Sequence, residues 1–274
     1  MRIDAHFHLW RPARGDYGWL TPAAGILHRD YEPQEFAPLL VAHGIDAAIL
    51  VQAAPSEAET AFLLDHAETR PWIAGVVGWA DLAASDAPAR VAALAGTPKI
   101  LGLRPMLQDL DDPDWILGDA VRPGLEAMAA HGLVFDALVR TEQLPAILVL
   151  ATLHPGLSIV LDHFGKPQIG DAPDNAWLDA ISGLAGMPNV TVKLSGLLTE
   201  APAHADAATL APWFDHVARS FGTDRILWGS DWPVLTLAGS HAGWVAITDT
   251  LLAGCDRRAR EAIFGANAAR VYKL

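Results

Sequence analysis

Residues 1–10 read Met1-Arg-Ile-Asp-Ala-His-Phe-His-Leu-Trp10, and the organisation of the chain is read outward from them. Ile3, Ala5 and Phe7 alternate with Asp4, His6 and His8, which is the two-residue period of a β-strand. On a regular strand His6 and His8 share a face, with Asp4 on the same face behind them. Their imidazoles then lie close enough to meet one ligand. Imidazole is a common metal ligand and a proton carrier near neutral pH. An isolated His-x-His is usually a pair of packed histidines, so this pair gains meaning only from what the rest of the chain sets beside it.

After Trp10 a Pro- and Gly-containing segment runs to Tyr31, long enough to serve as a binding loop or lid. Pro33 then opens a helix stopped by Gly44, and Ala47-Ala-Ile-Leu-Val51 reads as a strand apolar on both faces. Ser56-Glu-Ala-Glu59 has the form of a capping box for the next helix. The alternation then continues. Strands are expected at 73–77, 100–105, 133–139, 158–163, 190–195 and 225–231. Helical patterns are expected at 87–95, 115–131, 141–153 (capped by Thr141), 175–184, 207–221, 239–253 and 257–272. Eight strands, each followed by a helix with no break in composition, predict one (β/α)₈ TIM barrel over residues 1–274. A doubly wound open sheet competes, but His-Leu-Trp-Arg-Pro stands where a dinucleotide site would carry its Gly-rich turn.

Composition narrows the partners. The 274 residues carry a net charge of −13 with no Lys/Arg cluster, which argues against nucleic acid and anionic membranes. Cys255 is the lone cysteine, so a disulfide framework and a cysteine zinc site are excluded within one chain. The most apolar stretch, 144–161, is broken by Pro145, His154, Pro155 and Gly156, so no membrane span is expected there. Without an apolar leader, the expectation is a cytoplasmic protein acting on a small molecule. The oligomeric state has no signature in the pattern.

In such a barrel, chemistry sits at the C-terminal ends of the strands. Polar residues collect there: His6 and His8, Gln52, Arg104, Asp136, Asp162-His163 with Lys166 beyond, Lys193 and Ser195, and Ser230-Asp231-Trp232-Pro233. Burying such a set is costly without purpose. Each member also has a plain reading. Asp4 can serve as a brace for a neighbouring backbone or imidazole, Arg104, Lys193 and Asp136 as ion pairs in the barrel mouth, and Lys166 as a solvated loop charge. Asp162 and His163 are neighbours, so on a regular strand only one faces inward, and His163 is taken as that one. Trp19 and Trp232, with Trp10, are flat indoles near a polar rim, suited to the apolar face of a sugar ring. The remaining histidines are read as surface or packing residues.

Ile3-Asp-Ala-His-Phe-His-Leu-Trp10, Gly102-Leu-Arg-Pro-Met106, Leu161-Asp-His-Phe-Gly-Lys-Pro167, Lys193-Leu-Ser-Gly196, Trp228-Gly-Ser-Asp-Trp-Pro233 and Phe264-Gly-Ala-Asn-Ala-Ala-Arg270 occur in that order. Together, over essentially the whole chain, they resemble the amidohydrolase superfamily, in its amidohydrolase-related lactonase branch of the L-fuconolactonase and L-rhamnonolactonase type. The resemblance implies a distorted barrel and hydrolysis of a lactone, with His6, His8, His163 and Asp231 at the positions of the family's first-, sixth- and eighth-strand motifs. Two-metal members of the superfamily carry a Lys or Glu bridge at strand four or five. Arg104 and Asp136 stand there instead, so one divalent ion such as Zn²⁺, or none, is expected. Asp231 is then the general base, His6, His8 and His163 polarise the carbonyl or hold the ion, and Arg104, Lys193, Gln52, Trp19 and Trp232 bind substrate. Few rim arginines favour a neutral sugar lactone. A dicarboxylated lactone hydrolase or a metal-dependent decarboxylase on the same scaffold is the alternative within enzymes. A non-catalytic sugar-binding barrel is the alternative outside them.

Overall fold

The computed structural model describes residues 1–274. Eight strands, β1 (Ile3–Phe7), β2 (Ala47–Val51), β3 (Ile73–Gly78), β4 (Ile100–Leu103), β5 (Val134–Ala137), β6 (Ile159–Leu161), β7 (Val190–Leu194) and β8 (Ile226–Trp228), lie in sequence order. Neighbours pair in parallel throughout. The ring closes where β1 meets the segment after β8. His8 N donates to Trp232 O at 2.7 Å, and Asp231 N donates to His6 O at 2.8 Å. The expected (β/α)₈ barrel is therefore the observed one.

Eight helices follow the strands on the outside: α1 (Pro33–Ala42), α2 (Glu57–Glu68), α3 (Ala87–Ala95), α4 (Arg122–His131), α5 (Leu144–Leu153), α6 (Asn175–Ala185), α7 (Ala207–Phe221) and α8 (His241–Leu251). Two shorter ones, α9 (Arg257–Glu261) and α10 (Asn267–Tyr272), are separated by a π-helical turn over Ala262–Ala266. No helix is long and apolar enough to cross a membrane. Several starts are capped by a side-chain oxygen, as Ser56 caps α2 by accepting from Glu59 N at 3.0 Å. Two local expectations fail. Glu59 does not turn back to Ser56 N but takes the amides of Ala53 and Ala54, at 2.9 and 2.7 Å. Thr141 opens a short 3₁₀ turn rather than capping α5, and its hydroxyl donates to Lys166 O.

The core has two parts. A large apolar layer lies between sheet and helices, holding Phe7, Phe36, Trp177, Trp213 and Trp244 among 65 buried residues. A smaller cluster of 11 includes Ile3, Ala5, Ile49, Val51, Val77, Val134, Val160 and Leu227, and α10 joins it with Ala268, Val271 and Tyr272. Each fully buried aliphatic side chain contributes roughly 1.5–3 kcal/mol. Inward residues alternate along β5 and β6, so Val134 and Val160 are followed two residues on by Asp136 and Asp162. A step of two residues, about 6.6 Å, carries the interior from apolar to charged.

β1 departs from simple alternation. Its pairing with β2 shifts register between Asp4 and Phe7. Ile3 and Ala5 belong to the inner cluster, yet His6 also turns inward, and Asp4 faces the outer layer beside His241 of α8, at 3.9 Å. Asp4 is therefore not behind the histidines on their face. Its Oδ1 takes the amides of His6 (3.1 Å) and Ser230 (2.8 Å), bracing the two strand ends that close the barrel.

Candidate active site

The strands deliver their terminal polar residues to one end of the barrel in two tiers. The lower tier, wholly buried, holds His6, Asp136, Asp162 and Lys193. Lys193 Nζ donates to Asp136 Oδ2 at 2.5 Å, forms an ion pair with Asp162 Oδ1 at 3.0 Å and lies 3.2 Å from His6 Nδ1. Tyr272 reaches Asp136 from α10, its hydroxyl 2.9 Å from both carboxylate oxygens. Arg104 joins the tiers, donating from Nη1 to Asp162 Oδ2 at 3.0 Å and lying 3.3 Å from His6 Nε2. Gln52 aims the guanidinium, accepting Arg104 Nε at 3.1 Å through its side chain and Nη2 through its carbonyl.

Two carboxylates that share one lysine are pushed apart in acidity. Burial raises Asp136 to about 6 against the pull of Lys193, with Asp162 adding repulsion. Burial would also raise Asp162, but Lys193, His6 and Arg104 outweigh it and hold that carboxyl well below its ordinary range. Burial holds His6 neutral, well below the usual imidazole value, against the charge of Asp162.

The upper tier faces a cavity of about 230 Å³. His8, His163, Asp231 and Arg104 form its floor, and Trp10, Trp19, Leu27, Leu138, Val234 and Leu237 supply apolar wall. His8 Nδ1 donates to Val51 O at 2.7 Å, and its Nε2 lies 3.1 Å from His6 Nε2 and 3.3 Å from Asp231 Oδ1. His163 Nδ1 pairs with Ser195 Oγ at 2.9 Å, leaving Nε2 for the cavity. Burial lowers His163 to about 4 despite the nearby Asp231 and Asp162. Burial works to raise Asp231, but His163, the His8 contact and His6 together hold it well below the carboxylate range, so it stays ionised.

Local backbone explains how these groups converge. His163, Phe164 and Lys166 adopt left-handed φ of 54°, 55° and 49°, so β6 ends in a tight turn instead of continuing its alternation. Asp162 keeps the inward direction of its strand while the turn brings His163 in above it. The choice between the two does not arise, because both face inward. Asp231 has φ 58°, which lifts it off the line of β8 beside the cis Trp232–Pro233 bond. Two glycines make room for rings. A Cβ on Gly196 would lie 2.4 Å from His163 Nδ1, and one on Gly229 would lie 2.8 Å from His6 Cβ.

Of the residues the sequence singles out, His8, His163, Asp231, Arg104 and Trp19 meet at the cavity wall. His6 lies directly beneath. Lys193 and Gln52 do not reach the cavity, because neither has exposed surface and their polar atoms are engaged by other side chains or backbone. Trp232 is buried away from it, stacked on Phe36 at 4.9 Å and edge-on to Tyr31 at 5.3 Å. Lys166 lines the cavity, paired with Glu200 at 3.4 Å. Arg140 turns away to Gln108 O, so Arg104 is the cavity's arginine. Leu27, Met106, Gln108, Asp109 and Leu138, absent from the sequence reading of the rim, also line it. Leu138 lies just past the end of β5, and the others come from short 3₁₀ turns and loops that carry no periodic signal.

A divalent ion fits this donor set. His6, His163 and Asp231 offer ligand atoms within 4.8 Å of one another, all buried. For His6 to ligate through Nε2 its proton must sit on Nδ1, and Asp162 Oδ1, 3.4 Å away, is there to receive it.

The amidohydrolase family model matches residues 3–274. Over 280 aligned residues the chain is 45% identical to an L-fucono-1,5-lactonase of Burkholderia ambifaria, covering 100% of this chain and 96% of that protein. An L-fucono-1,5-lactonase of Burkholderia multivorans is 38% identical over 100% of this chain and 96% of its own. A crystal structure of a Burkholderia multivorans amidohydrolase with bound zinc superposes with a TM-score of 0.94, at 37% identity, covering 100% of this chain and 99% of that one.

Proposed function

The chain belongs to the amidohydrolase family, and we propose that it hydrolyses a neutral sugar lactone of the L-fucono type to the aldonic acid. The observation that carries this is the make-up of the cavity. Asp231, His8, His163 and Arg104 converge on a floor walled by indoles and aliphatic side chains. That combination supplies a base, hydrogen-bond partners for a carbonyl, and an apolar face for a sugar ring. The lactonase names of relatives matched over the full chain support the same substrate class.

Asp231 orients a water and takes its proton as the oxygen adds to the lactone carbonyl. A carboxylate this acidic is a weak base at rest, so transfer follows as the attacking water becomes acidic in the transition state. Arg104 and the Nε2–H of His163, the tautomer that Ser195 selects by donating to Nδ1, receive the charge growing on the carbonyl oxygen. Asp231 returns its proton to the ring oxygen as the ester C–O bond breaks, and the product is the open hydroxy acid. A single divalent ion held by His6, His163 and Asp231 would, when bound, take His163 Nε2 in place of its proton, and would itself polarise the carbonyl and lower the pKa of its water to about 7. A lactone bearing two carboxylates is disfavoured, since each buried anion wants a charge-assisted partner. Here Arg104 already serves Asp162, Lys166 is neutralised by Glu200, and Asp109 stands at the wall.

The test is a panel of aldonolactones and anionic lactones on purified protein, with and without a chelator, alongside elemental analysis. Turnover confined to neutral sugar lactones, with no more than one divalent metal per chain, is expected. Activity confined to anionic lactones overturns the substrate assignment, and two stoichiometric metals overturn the site assignment.

A further inference from the structure

Opening a neutral lactone leaves a carboxylate in the same cavity, so a wall that binds the ring must also release an anion. A cation facing that anion without a partner would hold it by a charge-assisted contact. Arg104 and Lys166 are the lysine and arginine side chains on the cavity wall. Each is met by a carboxylate from outside the wall: Asp162 at 3.0 Å for Arg104, and Glu200 at 3.4 Å for Lys166. The carboxylates on the wall itself, Asp231 and Asp109, make its remaining charge negative.

Two loops place the second pair. Lys166 follows the turn that ends β6, with φ 49°, its amide donating to His163 O at 2.9 Å and its carbonyl accepting from the Thr141 hydroxyl. Glu200 ends the 3₁₀ turn Leu198–Glu200 beyond β7. Ile169 N donates to Glu200 O at 3.1 Å, so the two loops are tied through their backbones close to both side chains. The Lys166 and Glu200 side chains are 24% and 26% exposed. A pair that open to water contributes little to folding stability. Its effect falls on the wall, where it cancels a charge that a product carboxylate would otherwise meet.

We propose that Glu200 sets the charge selectivity of the cavity as a positioning residue: it occupies the Lys166 ammonium and so keeps the wall from retaining the carboxylate product. That the anion is a product rests on the lactonase reading, whereas the cancellation of Lys166 by Glu200 does not. Glu200 is not a wall residue and acts through Lys166 alone.

Calorimetric titration of the purified protein with L-fuconate, an aldonate carboxylate, tests this without turnover. At low salt Glu200→Gln should bind L-fuconate about fivefold more tightly than the wild type, the scale of one partly exposed ion pair. High salt should erase the gain, because such a pair is screened. Lys166→Gln, which leaves Glu200 unopposed, should weaken binding instead. The double variant Lys166→Gln/Glu200→Gln should lose the gain of Glu200→Gln. A merely structural Glu200 would change the melting temperature without this reversal of sign. On a neutral L-fucono-type lactone the initial rate of Glu200→Gln should match the wild type, and inhibition by added L-fuconate should deepen by the same factor as the binding. Unchanged L-fuconate affinity in Glu200→Gln overturns the proposal, and so does a gain that survives high salt or the loss of Lys166. Should Glu200→Gln fail to fold, Lys166→Gln decides, and L-fuconate binding as tight as in the wild type overturns the proposal. A wild type inactive on every neutral sugar lactone, with the opposite shifts still present, refutes the lactonase reading and leaves the role of Glu200 standing.

Discussion

The two polar tiers inside the barrel are built from the same residue types and differ in what they face. The upper tier (His8, His163, Asp231 and the head of Arg104) opens on a cavity. The lower tier (His6, Asp136, Asp162 and Lys193) is closed to solvent, and its charges are answered by one another, by Arg104 and by the Tyr272 hydroxyl. Asp231 and Asp136 show the consequence. Both are buried carboxylates, yet histidines around Asp231 keep it acidic, while Asp136, sharing its lysine with Asp162, rises to about 6. A charge beside a cavity can be exchanged with water or substrate, so it can do chemistry. A charge below it can only hold position, and its removal is felt as instability.

The largest expected effect lies in the upper tier. Asp231→Asn should fold normally and lose about 10²–10⁴ in kcat, the range of a general base. The pH profile checks which group is the base. Asp231 titrates well below the carboxylate range, so it remains deprotonated as pH falls, and His163, lowered to about 4, remains neutral. The rate should therefore hold from pH 8 to about 5. A limb with an apparent pKa near 6.5 would move the role to a histidine.

In the lower tier the same kind of change should appear in stability. Lys193→Met leaves Asp136 and Asp162 buried without their shared cation, a loss of the order of 3–5 kcal/mol for a broken buried pair. Chemical denaturation of Lys193→Met beside Asp231→Asn measures the contrast. If both variants lose equal stability, the two tiers do not differ in the way described.

The barrel and the upper tier were legible in the sequence because their signals are local. Apolar runs of strand length recur between helical patterns, and a polar residue ends most of them. What was hidden depends on backbone departures or on distance. Left-handed φ at His163 and Phe164 lets two adjacent residues face inward, which no two-residue period allows. The register shift in β1 turns Asp4 outward while keeping His6 and His8 together. Lys193 looked like a rim residue because its strand position is right, but Asp136 and Asp162 capture it one tier down. Tyr272 carries no signal at all: it lies 136 residues from Asp136, and only the fold of α10 under the barrel joins them.

The smallest expected effect comes from the rim above both tiers. Trp19 is 38% exposed, packs edge-on to Trp10 at 5.2 Å, and is anchored by its Nε1–H to Ala53 O at 2.7 Å. Ala53 is in turn fixed by the buried Glu59 carboxylate, so the indole is held over the cavity by a rigid turn and not by its loop alone. It offers a flat apolar face and no charge. Aromatic contacts of this kind contribute about 0.5–1.5 kcal/mol, which is about a two- to tenfold change in affinity. Trp19→Ala should therefore raise KM for an L-fucono-type lactone by that factor and leave kcat nearly unchanged, because the hydrogen bond of Trp19 goes to Ala53 O and not to Asp231 or the histidines beneath. Added salt should alter KM little in either protein, since a neutral ring has no ion pair to screen. A KM that climbs with ionic strength would mean that the rim is selecting a charged lactone. A kcat that falls with Trp19→Ala would mean that the rim is coupled to the tiers below it.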